Sequence, residues 1–325
     1  MFKTKRTSKI LIIVVLLIVS AILSSIPFYY QDMKEVNLFM ENGANKIDSP
    51  YGTIEYLDLG EGKPILLSHG TMGGHDHGLL MARKLIGDGY RVIIPSRFGY
   101  LNSEMPADPS FEKQADSYAY LIEQLELDKV VIAGMSAGSV PATLFAIHHQ
   151  DKTEGLILIS SITYVPKALS EPQSLPVPEI VYETVLNNDY LFWCIYKLSP
   201  ATINSLFGAS KELTSQINQE ELEFVDAVSR TFLPVSKRYA GWLNDSKNIS
   251  QLTEMDLESI DVPTLVISAK DDDLAPHSWS EYLSGRIHGS RLVTFETGGH
   301  VLLGHTDEVK ELCRHFFGDT SPLSP

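Results

Sequence analysis

The residues most able to do chemistry begin with Gly134-Met135-Ser136-Ala137-Gly138, a G-x-S-x-G pattern. It lies between a strand-like run (129–133) and a helix expected over 139–149. A strand-to-helix turn this tight needs small neighbours, since a Cβ at either glycine would crowd the adjoining chain. It lifts the serine oxygen clear of a sheet's carboxyl edge, and the helix behind adds partial positive charge where an oxyanion would form. A serine hydroxyl is a poor nucleophile without a base. Of ten histidines, His300 is the best placed, because it follows Gly298-Gly299 just after the strand-like 291–295. Loops at strand carboxyl ends are where ligands collect in open α/β sheets. His305 falls at the start of the last helix and His315 within it. A base needs a carboxylate to hold its tautomer. Asp271, Asp272 and Asp273 all follow the apolar run 262–268. One of them is well placed, and position alone leaves the three open.

A tetrahedral intermediate also needs backbone donors. Ala137, next to Ser136, supplies one N–H. The second is expected from the glycine-rich stretch His69-Gly70-Thr71-Met72-Gly73-Gly74, at Thr71. His75-Asp76-His77 offers too few ligands for a closed metal site and reads as a polar loop near the mouth of the site. No metal and no cofactor is called for.

These residues must be positioned by alternating strands and helices. Thr53–Asp58 alternates with period two and reads as an early antiparallel strand. Residues 64–69, 90–95, 129–133, 155–159, 262–268 and 291–295 are short, mainly apolar runs, as expected of buried parallel strands. Leu79 to Ile86 reads as a helix ended by Gly87 and Gly89. Phe111, Ala115, Tyr118, Ile122 and Leu125 share one helical face. Val309, Leu312, Cys313 and Phe316 do so in a final helix. The expected fold class is α/β, with a mostly parallel central sheet covered by helices on both faces. The alternation breaks at about 162–259. That stretch has helical patches at 180–186 and 220–228, a Pro-rich entry (Pro172, Pro176, Pro178) and many aromatics. It reads as an inserted helical cap.

In this order the motifs resemble the α/β-hydrolase fold family, over residues 51 to 318. The resemblance rests on His69-Gly70, the elbow at Ser136, the acid loop before Pro276 and the Gly-Gly-His at His300. It implies a nucleophile, acid and base in the order Ser, Asp, His. It implies that the acid stands four residues before the proline, which selects Asp272, and that a cap follows the sixth core strand. The serine argues against the dehalogenase and epoxide-hydrolase branches, which use an aspartate. One departure is Ser96-Arg97-Phe98-Gly99-Tyr100-Leu101, where many members carry an aspartate and G-x-G. That loop is expected to shape the pocket.

The chain has 325 residues, of which 44% are hydrophobic and 21% charged, enough for one large core and unlike a disordered chain. Its formal charge is −15; Lys3, Lys5, Arg6 and Lys9 contribute +4, leaving −19 for the rest. So acidic a body should repel phosphate backbones, which excludes nucleic acid as a partner. After the basic start, residues 10–26 are apolar without a polar stripe, and no charge falls before residue 32. Residues 1–30 are therefore expected to be a membrane anchor with its basic end in the cytoplasm, or a cleaved signal peptide. Either places the body outside the cytoplasm. Residues 31–50 read as a spacer, and 51–325 as the hydrolase-like domain with its cap. Cys194 and Cys313 read as separate thiols; a disulfide between cap and last helix is the alternative in an oxidising compartment. The expected activity is a serine hydrolase acting on a small substrate with an acyl group, an ester for preference. Amide or carbon–carbon bond cleavage could run on the same residues. A non-catalytic binding protein on the same fold is the rival reading.

Overall fold

A computed structural model describes residues 2–166 and 179–318. They form two compact units that divide after Glu41. The first is one helix, α1 (Phe2–Glu41). Its segment Ile13–Glu41 is long and apolar enough to cross a membrane, by length and composition. Leu16, Leu17 and Leu23 are all exposed.

The second unit is built on an eight-stranded sheet. Its strands are β1 (Asn45–Ser49), β2 (Gly52–Leu59), β3 (Lys63–Ser68), β4 (Tyr90–Pro95), β5 (Val130–Met135), β6 (Thr153–Ile159), β7 (Thr264–Ala269) and β8 (Arg291–Phe295). They lie in the order β1-β2-β4-β3-β5-β6-β7-β8. The pairs β1/β2 and β2/β4 are antiparallel and every later pair is parallel. The expected mostly parallel sheet is therefore present. Residues 31–50, read as a spacer, instead hold the end of α1 and the edge strand β1. β1 is short, polar and half-exposed, so it lacks the apolar alternation that marks a strand in sequence.

Helices cover both faces: α2 (His75–Met81), continued by a π-turn to Ile86, α3 (Phe111–Gln124), α4 (Ser139–His148), α11 (His277–Arg286) and α12 (Thr306–Phe316). α3 starts where the Ser110 hydroxyl accepts from the Lys113 N–H, and it buries Phe111, Ala115, Tyr118 and Ile122 in one face. These meet Val140, Ala142 and Phe145 of α4 and the strands beneath. Each fully buried large apolar side chain adds about 1.5–3 kcal/mol.

After β6 the strand–helix alternation gives way to α5 (Glu179–Leu186), α6 (Asp189–Leu198), α7 (Pro200–Leu206), α8 (Lys211–Thr214), α9 (Gln219–Arg230) and α10 (Tyr239–Ser250). This is the helical insertion expected at 162–259; its Pro172, Pro176 and Pro178 lie outside the described residues. Cys194 and Cys313 are free thiols, and burial pushes Cys313 up to about 12.

The topology dictates where a site can form. From β3 the chain steps to β4 on one side, then crosses to β5 on the other. The loops leaving β3 and β5 therefore diverge, and a crevice opens at their carboxyl ends. The register Ser68↔Gly134 brings those ends level.

Candidate active site

Ser136 stands at the end of β5, where a tight 3-10 turn (136–138) leads into α4. Its φ is 52°, in the left-handed region that a side chain rarely adopts. The surroundings impose it. A Cβ on Gly134 would lie 2.6 Å from Ser139 Cα, and one on Gly138 would overlap the Ser68 and His69 carbonyls. The Ser136 carbonyl is held by the Ser139 hydroxyl (2.5 Å) and the Ile162 N–H (3.3 Å). Strain of this kind persists only where neighbours over-determine it, and it exposes the serine oxygen above the sheet.

The Gly70–Gly73 turn, closed by Gly73 N–H to Gly70 C=O (3.2 Å), lies beside it. A Cβ on Gly70 would sit 3.1 Å from Ser136 Cβ, so only glycine lets the turn come this close. His69 fixes the turn: its Nδ1–H donates to Gly70 O (2.8 Å) and its Nε2 accepts from Arg97 N–H (3.0 Å). Thr71 and Ser136 line the same cavity. The Ala137 N–H is in the first turn of the helical segment, where backbone donors have no partner within the helix.

His300 and Asp272 come from the neighbouring strands β8 and β7, whose ends are aligned by Ala269↔Phe295. His300 Nδ1 lies 2.9 and 3.1 Å from the two Asp272 carboxylate oxygens. Both side chains are buried. Burial works against the Asp272 charge, but the His300 ring and the N–H groups of Leu274 and Ala275 (2.9 Å each) outweigh it and hold the carboxyl below its ordinary value. Of the adjacent acids, Asp273 is exposed. Asp271, exposed too, accepts from the N–H groups of Gly298 (3.2 Å) and Gly299 (2.9 Å) and so shapes the turn that carries His300.

Ser136, His300, Thr71 and Gly70 share one cavity of about 180 Å³. Its remaining walls are apolar (Met135, Ile162, Leu206, Phe207, Val228, Phe232, Leu274 and Val301) apart from His77. A serine hydroxyl and an imidazole oriented by a carboxylate at one small, mainly apolar cavity can carry out acyl transfer.

Two segments take places other than those expected from the sequence. His75-Asp76-His77 is not a loop at the mouth but the buried first turn of α2. Asp76 pairs there with Arg238 (2.6 Å), and His75 bonds Ser96 Oγ (2.9 Å). No cluster able to hold a metal occurs among the described residues. The 96–101 loop, expected to shape the pocket, contributes nothing to the cavity lining. Arg97 is buried instead and pairs with Asp245 of α10, while Tyr100 OH donates to the same carboxylate (2.5 Å). Asp245 also accepts from the Thr71 hydroxyl (3.2 Å). The insertion grips the other side of the site as well. Gly208 C=O accepts from His300 N–H (3.3 Å), and buried Glu221 accepts from Gly304 N–H (2.8 Å) and the Thr306 hydroxyl (3.0 Å).

A family model described as "alpha/beta hydrolase fold" matches residues 63–304. The chain belongs to the α/β-hydrolase fold family. An uncharacterized hydrolase of Bacillus subtilis is 26% identical over 266 residues, 77% of this chain and 89% of that one. The proline iminopeptidase of Saccharolobus solfataricus is 26% identical over 317 residues, 91% of this chain and 98% of that one. Among solved structures, an alpha/beta hydrolase fold protein from Nakamurella multipartita superposes with a TM-score of 0.69 at 22% identity, covering 86% of this chain and all of that one. An esterase from Exiguobacterium antarcticum gives 0.60 at 22% identity, over 84% and 98%. Fold and relatives together support a hydrolase.

An α/β hydrolase that buries neutral histidines around its site should be acid-sensitive. Burial, the largest influence, pushes His77 from 6.5 to about 4, against the pull of Asp76; His69 is depressed too. Between those pH values the unfolded chain binds a proton at His77 that the folded protein does not. Stability is then complete above about pH 6.5 and falls as pH drops towards 4, by about 3 kcal/mol from His77 alone. Urea midpoints measured from pH 7 to 4.5 should fall, and fall less in His77→Gln. An equal fall in both proteins would remove His77 as the cause.

Proposed function

We propose that this α/β hydrolase is a serine hydrolase cleaving a small carboxylic ester or similar acyl bond. The observation that carries the reading is the His300 Nδ1–Asp272 contact at the wall of the cavity that Ser136 also lines. Asp272 holds the proton on Nδ1, so Nε2 can accept the Ser136 proton as Oγ attacks the acyl carbon. The oxyanion takes the N–H groups of Thr71 and Ala137. His300 then returns the proton to the leaving alkoxide, and water repeats the sequence to free the acid and Ser136. Neither a cofactor nor a metal has a part in these steps. Pockets for drug-sized ligands run to roughly 300–1,000 Å³, so a cavity of about 180 Å³ fits a small acyl group. Among the described residues no carboxylate lines it that could take an α-ammonium, so the reading favours an ester over a peptide amino terminus.

We place this activity outside the cytoplasm, on a chain anchored by α1. The support is the apolar helix after a basic start. One experiment tests both. A fluorophosphonate should label the wild type in the membrane fraction after a salt wash, and Ser136→Ala and His300→Ala should not label. Labelling that survives Ser136→Ala would overturn the nucleophile. A labelled band in the medium lacking the first 21 or so residues would replace the anchor with a signal peptide.

A further inference from the structure

Among the described residues, His77 is a polar side chain lining the cavity that the proposed acyl transfer does not use. It projects from α2 and stacks on Phe232 (5.4 Å, 28°), which itself stacks on Phe207 (3.6 Å). Its Nδ1 lies 3.1 Å from the Thr231 hydroxyl. That hydroxyl has one proton, already donated to Val228 C=O at 2.6 Å. The hydrogen between ring and hydroxyl must therefore come from the ring, and the network assigns the Nδ1–H tautomer. Nε2 is left as a bare lone pair with no bonding partner among the described residues, on a ring that lines the same cavity as Ser136 and His300. An acceptor in an otherwise apolar wall is costly unless something donates to it.

Building on the serine-hydrolase reading, we infer that His77 Nε2 is a specificity-determining acceptor, and that the substrate carries a neutral O–H or N–H donor seated against α2 and α9. The donor is neutral because, among the described residues, no carboxylate lines the cavity to balance an ammonium. The ring stays an acceptor at neutral pH, since burial keeps it from taking up a proton. The Thr231 hydroxyl fixes which nitrogen is bare, so it acts through the ring as a positioning residue.

The test compares small esters that match except at one position, which carries hydrogen, hydroxyl or methoxy. The substitution is placed on the acyl side in one series and on the alcohol side in another. Hydrolysis by the full chain is followed by pH-stat. In the wild type, a hydroxyl ester of one series should exceed its unsubstituted partner about tenfold in kcat/KM. That ratio should fall to near one in His77→Phe, whatever happens to the absolute rates. Thr231→Val keeps the shape but frees the ring to carry its proton on Nε2, so preference should move towards the methoxy ester. Ester turnover with no hydroxyl preference in either series would overturn the inference and leave the serine-hydrolase reading standing. So would a preference that survives His77→Phe. Absence of all ester turnover together with absence of fluorophosphonate labelling would overturn both.

Discussion

Asp272→Asn is expected to lower kcat by about 10⁴ while leaving the fold intact. The asparagine carbonyl can still accept from Leu274 N–H and Ala275 N–H, which now hold Asp272 Oδ1 at 2.9 Å. The loop should keep its shape, and thermal unfolding should move by no more than a few degrees. What changes is the partner of His300. An amide N–H set against Nδ1 in place of a carboxylate drives the ring proton to Nε2, where it blocks acceptance of the serine proton. The neighbouring acids supply the controls. Asp271→Asn keeps one oxygen for Gly298 and Gly299 and should cost under tenfold. The exposed Asp273 should be replaceable without effect. Steady-state kinetics and circular dichroism on the three variants decide the matter. If Asp271→Asn loses as much as Asp272→Asn, the acid has been assigned to the wrong carboxylate.

That contrast marks how far the sequence was legible. The strands were, because a parallel strand covered on both faces is largely apolar, and residues 90–95 match β4 end for end. Ser136 was, because a strained strand-to-helix turn admits few residue types around it, and Gly134 and Gly138 have no room for a Cβ. Position alone could not choose among three consecutive aspartates: adjacent side chains differ only in which way they point, and that becomes a fact when β7 and β8 pair. β1 was invisible because an exposed polar edge strand carries no hydrophobic period. His77 was misplaced because its meaning comes from Thr231, 154 residues on. The 96–101 loop was misread because Arg97 meets Asp245 only across 148 residues.

Removing Asp245 should strongly destabilise the junction of core and insertion, at about 3–5 kcal/mol. Arg97 is 2% exposed, with Nη1 and Nη2 each 2.6 Å from an Asp245 oxygen. Asp245→Ala strands that guanidinium out of water and leaves the Tyr100 and Thr71 hydroxyl protons without their acceptor. In a unit of this size the melting temperature should fall by on the order of 10 °C. A buried ion pair costs nearly as much to desolvate as it returns, so replacing both partners should hurt less than replacing one. The double variant Arg97→Met/Asp245→Leu is therefore expected to unfold above Asp245→Ala. Its activity should recover less than its stability, because the Thr71 hydroxyl stays without the carboxylate that holds Thr71 at the cavity Ser136 lines. Calorimetry and ester turnover on the two proteins separate these effects. A double variant as unstable as Asp245→Ala would mean that the pair itself holds the junction, whereas full recovery of both readouts would mean that Asp245 holds the insertion down but does not position Thr71.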